Sequence, residues 1–181
     1  VVGVKLVGKF APGVLATDLA LVVTHALRKL GVTGEFVEFY GSGVSGLTAG
    51  DRAVVANMAP EYGATTGYFP IDEQTLTYLK TTGRSADAVA LVEVYAKRQG
   101  FWLDAAAEPR YTQSITIDLS AIQMHIAGPK RPQDLWPYAQ SGEVLRAQKF
   151  QPTSDSDTLP KHPVAIAAIT SCTNTSKVGF S

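Results

Sequence analysis

Val164-Ala165-Ile166-Ala167-Ala168-Ile169-Thr170-Ser171-Cys172-Thr173-Asn174-Thr175-Ser176 is the stretch on which the reading of the fold turns. Its first six residues are a continuous apolar run, half of it β-branched. A run of this kind between polar flanks predicts a strand buried on both faces, as in parallel sheets covered by helices. The chain turns polar at once beyond Ile169. Cys172 therefore falls just past the carboxyl end of a strand, where open α/β sheets bind their ligands.

The sequence upstream fits the same α/β class. Residues 1–10 alternate loosely and predict an edge strand. Thr17 or Asp18 can cap a helix running to about Leu30, with Leu19, Val22, Val23, Ala26, Leu27 and Leu30 at helical spacing and Gly31 at its end. Residues 35–40 predict a short strand, stopped by Gly41-Ser42-Gly43. Thr48 and Asp51 make a capping pattern for a second helix through about Met58. Pro60, which lacks an N–H, must bend or restart that helix, and Gly63 ends the segment. A strand is expected over 64–69, helices near 72–82 and 86–99, and a strand over 111–119. Residues 128–163 carry six of the ten prolines. They are expected to form a partly irregular connection between a domain at 1–127 and a further one opening at 164–181.

Composition narrows the function classes. The 181 residues are 45% hydrophobic and 18% charged, with no net charge. Bulk attraction to nucleic acid or to an anionic membrane is therefore not expected, although a local basic patch stays open. No apolar run approaches the roughly 18 residues needed to span a bilayer. The sequence begins without Met and is expected to be an internal piece of a longer chain. A single cysteine cannot form an internal disulfide, which fits a reducing, cytoplasmic setting.

Three features could carry chemistry. Cys172 is either a small buried core residue, a catalytic thiolate or one ligand of a metal centre. None of the three histidines, His25, His125 and His162, has a spacing that pairs it with Cys172. No CxxC or HxxxH is present, so further ligands would have to come from beyond residue 181. Asn57 and Glu61 are four apart, so on one helix they would point the same way, beside the apolar Val54, Val55 and Met58. They form either a helix-end network that fixes the Pro60 bend or a site with a proton-handling carboxylate. Gly41, Gly43 and Gly46 have dinucleotide-loop spacing, but Leu47-Thr48-Ala49 separates them from the helix. A turn needing positive φ is preferred there.

These segments together resemble the aconitase family. The resemblance rests on Phe36-Val37-Glu38-Phe39-Tyr40-Gly41, Ala56-Asn57-Met58-Ala59-Pro60-Glu61-Tyr62-Gly63-Ala64-Thr65 and Phe69-Pro70-Ile71-Asp72. It extends to Gly128-Pro129-Lys130-Arg131-Pro132-Gln133-Asp134 and to the segment around Thr170-Ser171-Cys172-Thr173-Asn174. It implies a three-layer α/β/α domain, the second of four, followed by a linker and the first strand of the third. It also implies that Cys172 is one of three thiolate ligands of a [4Fe–4S] cluster, and that Asn57 and Glu61 lie in the active site. The activity implied is hydro-lyase chemistry on a small tricarboxylic acid, citrate to isocitrate through cis-aconitate. A sister enzyme acting on 2-methylcitrate or 2-methylisocitrate is the near alternative. A cluster-free, RNA-binding role like that of the iron regulatory proteins is the more distant one, and zero net charge lends it no support. The remaining domains of a parent chain would be its standing partners.

Overall fold

The computed structural model describes residues 1–148, so the expected strand at 164–169, Cys172 and His162 lie outside the described residues. Four strands form a parallel sheet: β1 (Val2–Val7), β2 (Phe36–Tyr40), β3 (Thr66–Tyr68) and β4 (Gln113–Asp118). Their order is β3-β2-β1-β4. Helices connect them, as an α/β chain requires, because parallel neighbours need a crossover. α1 (Ala16–Leu30) links β1 to β2. α2 (Ala49–Asn57) and α3 (Ala59–Tyr62) link β2 to β3, and α4 (Glu73–Thr81) and α5 (Ala86–Gln99) link β3 to β4.

One face of the sheet is the core. Val2, Val4 and Leu6 of β1, Val37 and Phe39 of β2 and Ile117 of β4 meet Leu19, Val23 and Leu27 of α1, Val55 of α2 and Tyr62 of α3. Most of these side chains are fully buried. The α1 stripe expected from helical spacing supplies this contact, with Leu19, Val23 and Leu27 at its centre.

β1 corrects one expectation. It is not an edge strand: it pairs with β2 on one side and with β4 on the other. The loose alternation has a different cause. Gly3 and Lys5 lie on the opposite face of the sheet, which carries no helix from α1 to α3. The coil after α5 crosses that face instead. Trp102 bridges to Ile71, the Tyr111 ring lies against the Gly3 backbone, and Lys5 pairs with Glu108.

The ends of the elements follow local chemistry. α1 begins two or three residues earlier than expected, with Leu15 rather than Thr17 or Asp18 as its N-cap. Asp18 is not its N-cap but its third residue, and its carboxylate accepts the N–H of Leu15 at 2.9 Å and the N–H of His125 at 2.9 Å. Thr48 caps α2 through Asp51, as its spacing predicts, and Asp72 and Ser85 cap α4 and α5. Past β4, the strand β5 (His125–Ala127) pairs antiparallel with β6 (Leu135–Pro137), and α6 (Ser141–Ala147) follows. The first part of the proline-rich stretch is thus tied down. Trp136 Nε1 donates to the Gly128 carbonyl at 3.0 Å, and His25 Nδ1 donates to the Gln133 carbonyl at 2.8 Å.

Candidate functional site

Pro60 decides the local geometry of the Asn57–Glu61 segment. The helix does not bend through it. α2 ends at Asn57, Met58 leaves helical geometry, and α3 restarts at Ala59 with Pro60 in its first turn, where a missing N–H costs nothing. Gly63 then closes α3 at φ 87°, a conformation that favours glycine. Asn57 and Glu61 therefore stand on consecutive helices, not on one helical face.

The two side chains meet different surroundings. Asn57 is exposed, whereas Glu61 is half-buried. One carboxylate oxygen of Glu61, Oε2, is buried and has no hydrogen-bond partner among the described residues. A buried carboxylate oxygen left without a donor is costly. Its backbone, by contrast, is held firmly: Arg28 at the end of α1 donates to the carbonyls of both Pro60 and Glu61. The Pro60 carbonyl also accepts from the Gly63 N–H, and the arginine supplies the donor for the Glu61 carbonyl at the end of this short helix.

Tyr62, next in sequence, is 1% exposed, and its hydroxyl is also buried without a partner. Burial and, secondarily, the charge of Glu61 push its phenol above the ordinary range. The hydroxyl lies where a Cβ on Gly67 would stand, 2.1 Å away, so the ring is seated against the β3 backbone.

The segment lies at the amino ends of β2 and β3. Gly34, just before β2, donates to the Gly63 carbonyl at 3.3 Å, and Thr65 N–H donates to the Glu35 carbonyl at 2.8 Å. Open α/β sheets ordinarily bind ligands at the opposite edge. At that carboxyl edge the chain reverses between β1 and β4, but the space there is filled. Asp118 accepts from the N–H and hydroxyl of Ser120 at 2.9 and 2.6 Å, which holds its carboxyl below the usual range, and it packs on Gly8. The glycine-rich turn also closes on its own fold. Gly41 has φ 94°, and Cβ atoms on Gly41 and Gly43 would stand 2.7 and 2.8 Å from the Leu6 backbone. These glycines permit close approach to β1, which is the turn role expected of them.

Sequence reasoning missed the charged pair between Arg52 and Asp72, which are both buried and twenty positions apart. Only an i,i+3 or i,i+4 spacing would have announced it. Among the described residues no group of three or more His, Cys, Asp or Glu is placed to hold a metal, and no helix is long and apolar enough to cross a membrane.

The described residues thus define a parallel α/β domain with a partnerless carboxylate oxygen on a broken helix, away from the sheet edge where such folds ordinarily bind ligands. The profile of the aconitase family (aconitate hydratase) matches residues 1–180, and the chain belongs to that family. Aconitate hydratase A of Legionella pneumophila is 49% identical over 189 residues, covering 97% of this chain and 21% of that protein. The Escherichia coli aconitate hydratase A is 49% identical over 198 residues, with the same coverage. That of Streptomyces viridochromogenes is 57% identical over 134 residues, covering 74% of this chain and 14% of its own length. The chain thus spans about a fifth of the length of the relatives it matches. Membership implies an iron–sulfur cofactor. The described residues build no cluster site, and Cys172, whose thiol has the donor chemistry such a cluster takes, lies outside them.

Proposed function

We propose that this chain is a section of an aconitate hydratase, a hydro-lyase that converts citrate to isocitrate through cis-aconitate by removing and re-adding water. The similarity to aconitate hydratases over 97% of the chain carries this reading. In it, residues 1–127 are the second of four domains, 128–163 the connection and 164–181 the opening of the third. Cys172 is one of three thiolate ligands of a [4Fe–4S] cluster, the other two coming from beyond residue 181. Such a cluster, when bound, offers one open iron as a Lewis acid to the substrate hydroxyl and carboxylate. A cytoplasmic location fits a lone thiol kept reduced.

Glu61 holds the proton. Its Oε2, buried without a donor or acceptor of its own, is supported in that role by the fixed backbone around it. In the carboxylic acid form it gives a proton to the departing hydroxyl, and as the carboxylate it takes one back on rehydration. Asn57, one residue before the helix break and exposed, offers a carboxamide to orient the substrate. The substrate-binding arginines, the active-site histidines and the serine base of the reaction belong to the rest of the protein.

The test is steady-state kinetics on the full-length protein after anaerobic reconstitution of the cluster, with citrate, isocitrate and 2-methylcitrate compared under one condition. Turnover of citrate and isocitrate, with ultraviolet absorbance of the unsaturated intermediate, is expected. Preference for 2-methylcitrate would assign the sister reaction. Inactivity towards all three with an intact cluster would overturn the reading.

A further inference from the structure

The sheet face opposite α1 to α3 holds a trough of about 400 Å³, between the ends of β2 and β3 and the coil after α5. Its walls are aromatic: Tyr40, Tyr68, Phe69, Phe101 and Trp102. Glu38 reaches it from the middle of β2, and Asp104 stands at its rim. No Lys, Arg or His lines it. This is an acidic, aromatic hollow with no cation in its lining.

Glu38 is the centre of that imbalance. Its cross-strand neighbours are Gly3, which offers no side chain, and Tyr68. Tyr68 donates its hydroxyl to Glu38 Oε2 at 3.2 Å, and no described cation pairs with the carboxylate. The nearest lysine on this face, Lys5, is taken by Glu108. Burial first, and then the charge of Glu38, hold the Tyr68 and Tyr111 phenols above their ordinary range. A carboxylate has about four acceptor sites, so one phenol leaves most of its capacity unused. The aromatic walls suit a cation too. Lys97 already lies 4.5 Å from the centre of the Trp102 ring, without lining the trough.

We propose that this trough is a receptor for a guanidinium group, an arginine side chain presented by parent polypeptide outside these 181 residues, since 149–181 hold no arginine, and held by Glu38 among Tyr40, Tyr68 and Trp102. Arginine is favoured over lysine because a planar guanidinium can bond a carboxylate with two parallel N–H groups while stacking on aromatic faces. Charge complementarity selects the cation, and the chain's span of about a fifth of its relatives leaves ample polypeptide to supply it. The inference rests on the trough and on family membership, and not on the role given to Glu61.

The test uses the 181-residue chain, arginine amide as the probe and its neutral isostere citrulline amide as the control. The indole N–H resonance of Trp102 reports binding. Saturable shifts with arginine amide and none with citrulline amide are expected. Binding should weaken about tenfold or more in Glu38→Gln, the loss that removal of a charge-assisted hydrogen bond predicts. Trp102→Leu, measured by titration calorimetry because it removes the indole reporter, should weaken it as well, so the outcome does not depend on how well the Glu38 variant folds. Equal shifts with both amides, or no saturable shift with either, would overturn the proposal. In the full-length protein the site should be filled and deaf to the probe. Probe binding there at the affinity of the shorter chain would sink the polypeptide source.

Discussion

Arg52 and Asp72 are joined by two parallel hydrogen bonds, Nη1 to Oδ1 at 2.8 Å and Nη2 to Oδ2 at 2.6 Å, with 6% and 8% of their side chains exposed. The same guanidinium donates to the carbonyls of Val44 at 3.0 Å and Pro70 at 3.3 Å, and the same carboxylate caps α4 by accepting from Gln74 and Thr75. One buried pair thus ties the glycine-rich turn, α2, the end of β3 and α4 together.

Removing either partner should leave an uncompensated buried charge or dismantle the tie. Asp72→Asn and Arg52→Met are each expected to lower stability by about 3–5 kcal/mol, as for other buried pairs broken on one side. Urea unfolding of the chain measures it. A loss under about 1 kcal/mol would rank this pair with surface ion pairs.

In the full-length enzyme, Glu61→Gln should lower kcat and kcat/KM together, by about 10²-fold or more, with KM little changed. Glutamine keeps the shape but cannot exchange a proton. Rates are to be normalised to cluster content and read beside the unfolding midpoint. Unchanged normalised turnover with a lowered midpoint would make Glu61 part of the scaffold.

Gly67→Ala should cost about 1–3 kcal/mol through overpacking, because the new Cβ would sit 2.1 Å from the Tyr62 hydroxyl. Tyr62→Phe removes that oxygen, so the double variant should recover part of the loss. Strict additivity in the double-mutant cycle would show that the two positions do not press on each other.

The buried Tyr62 phenol also sets an alkaline limit. Its folded-state pKa is raised above the unfolded value of about 10, so the native state holds its proton more tightly than the unfolded chain. The stability it contributes is fully present below about pH 10 and is lost as pH rises above it. The unfolding midpoint of the parent chain should fall more steeply beyond pH 10 than that of Tyr62→Phe. Parallel curves for the two would exclude Tyr62 from that dependence.

Cys172→Ser in the full-length protein should abolish turnover and cluster iron while the protein still folds, since one of three proposed ligands is lost. Iron analysis and visible absorbance report the cluster. Near-normal iron content would remove Cys172 from the ligand set.

The legible parts of the sequence were those governed by neighbours a few residues apart. Thr48 with Asp51, Pro60 at the helix restart, Gly63 at the end of α3 and the Leu19–Leu27 stripe all appear where local chemistry puts them. What depends on distant partners was hidden. β1 read as an edge because Gly3 and Lys5 face the side crossed by coil rather than by α1 to α3, and alternation alone cannot separate a strand at the margin from one with a single helix-covered face. Asp18 looked like a cap because nothing local announces that its carboxylate reaches back to Leu15 and across to His125. The i,i+4 reading of Asn57 and Glu61 assumed a continuous helix, and the restart at Ala59 removed that premise. Where spacing left Glu61 and Cys172 open, only the family resemblance, resting on whole segments, pointed to the roles proposed for them.

The central place of β1 makes the start of this chain a keystone in time as well as in space. Val2 must wait for Gln113 before its second edge is paired, so the sheet closes only after α1 to α5 have been laid down. Such non-local pairing slows folding, because loop-closure entropy is spent before the contact rewards it. On a ribosome, the half-built sheet would present the bare edge of β1 to solvent until β4 emerges. Deleting residues 1–7 would remove no helix, yet it would cut β4 off from β2 and leave two fragments of a sheet that no longer share a strand.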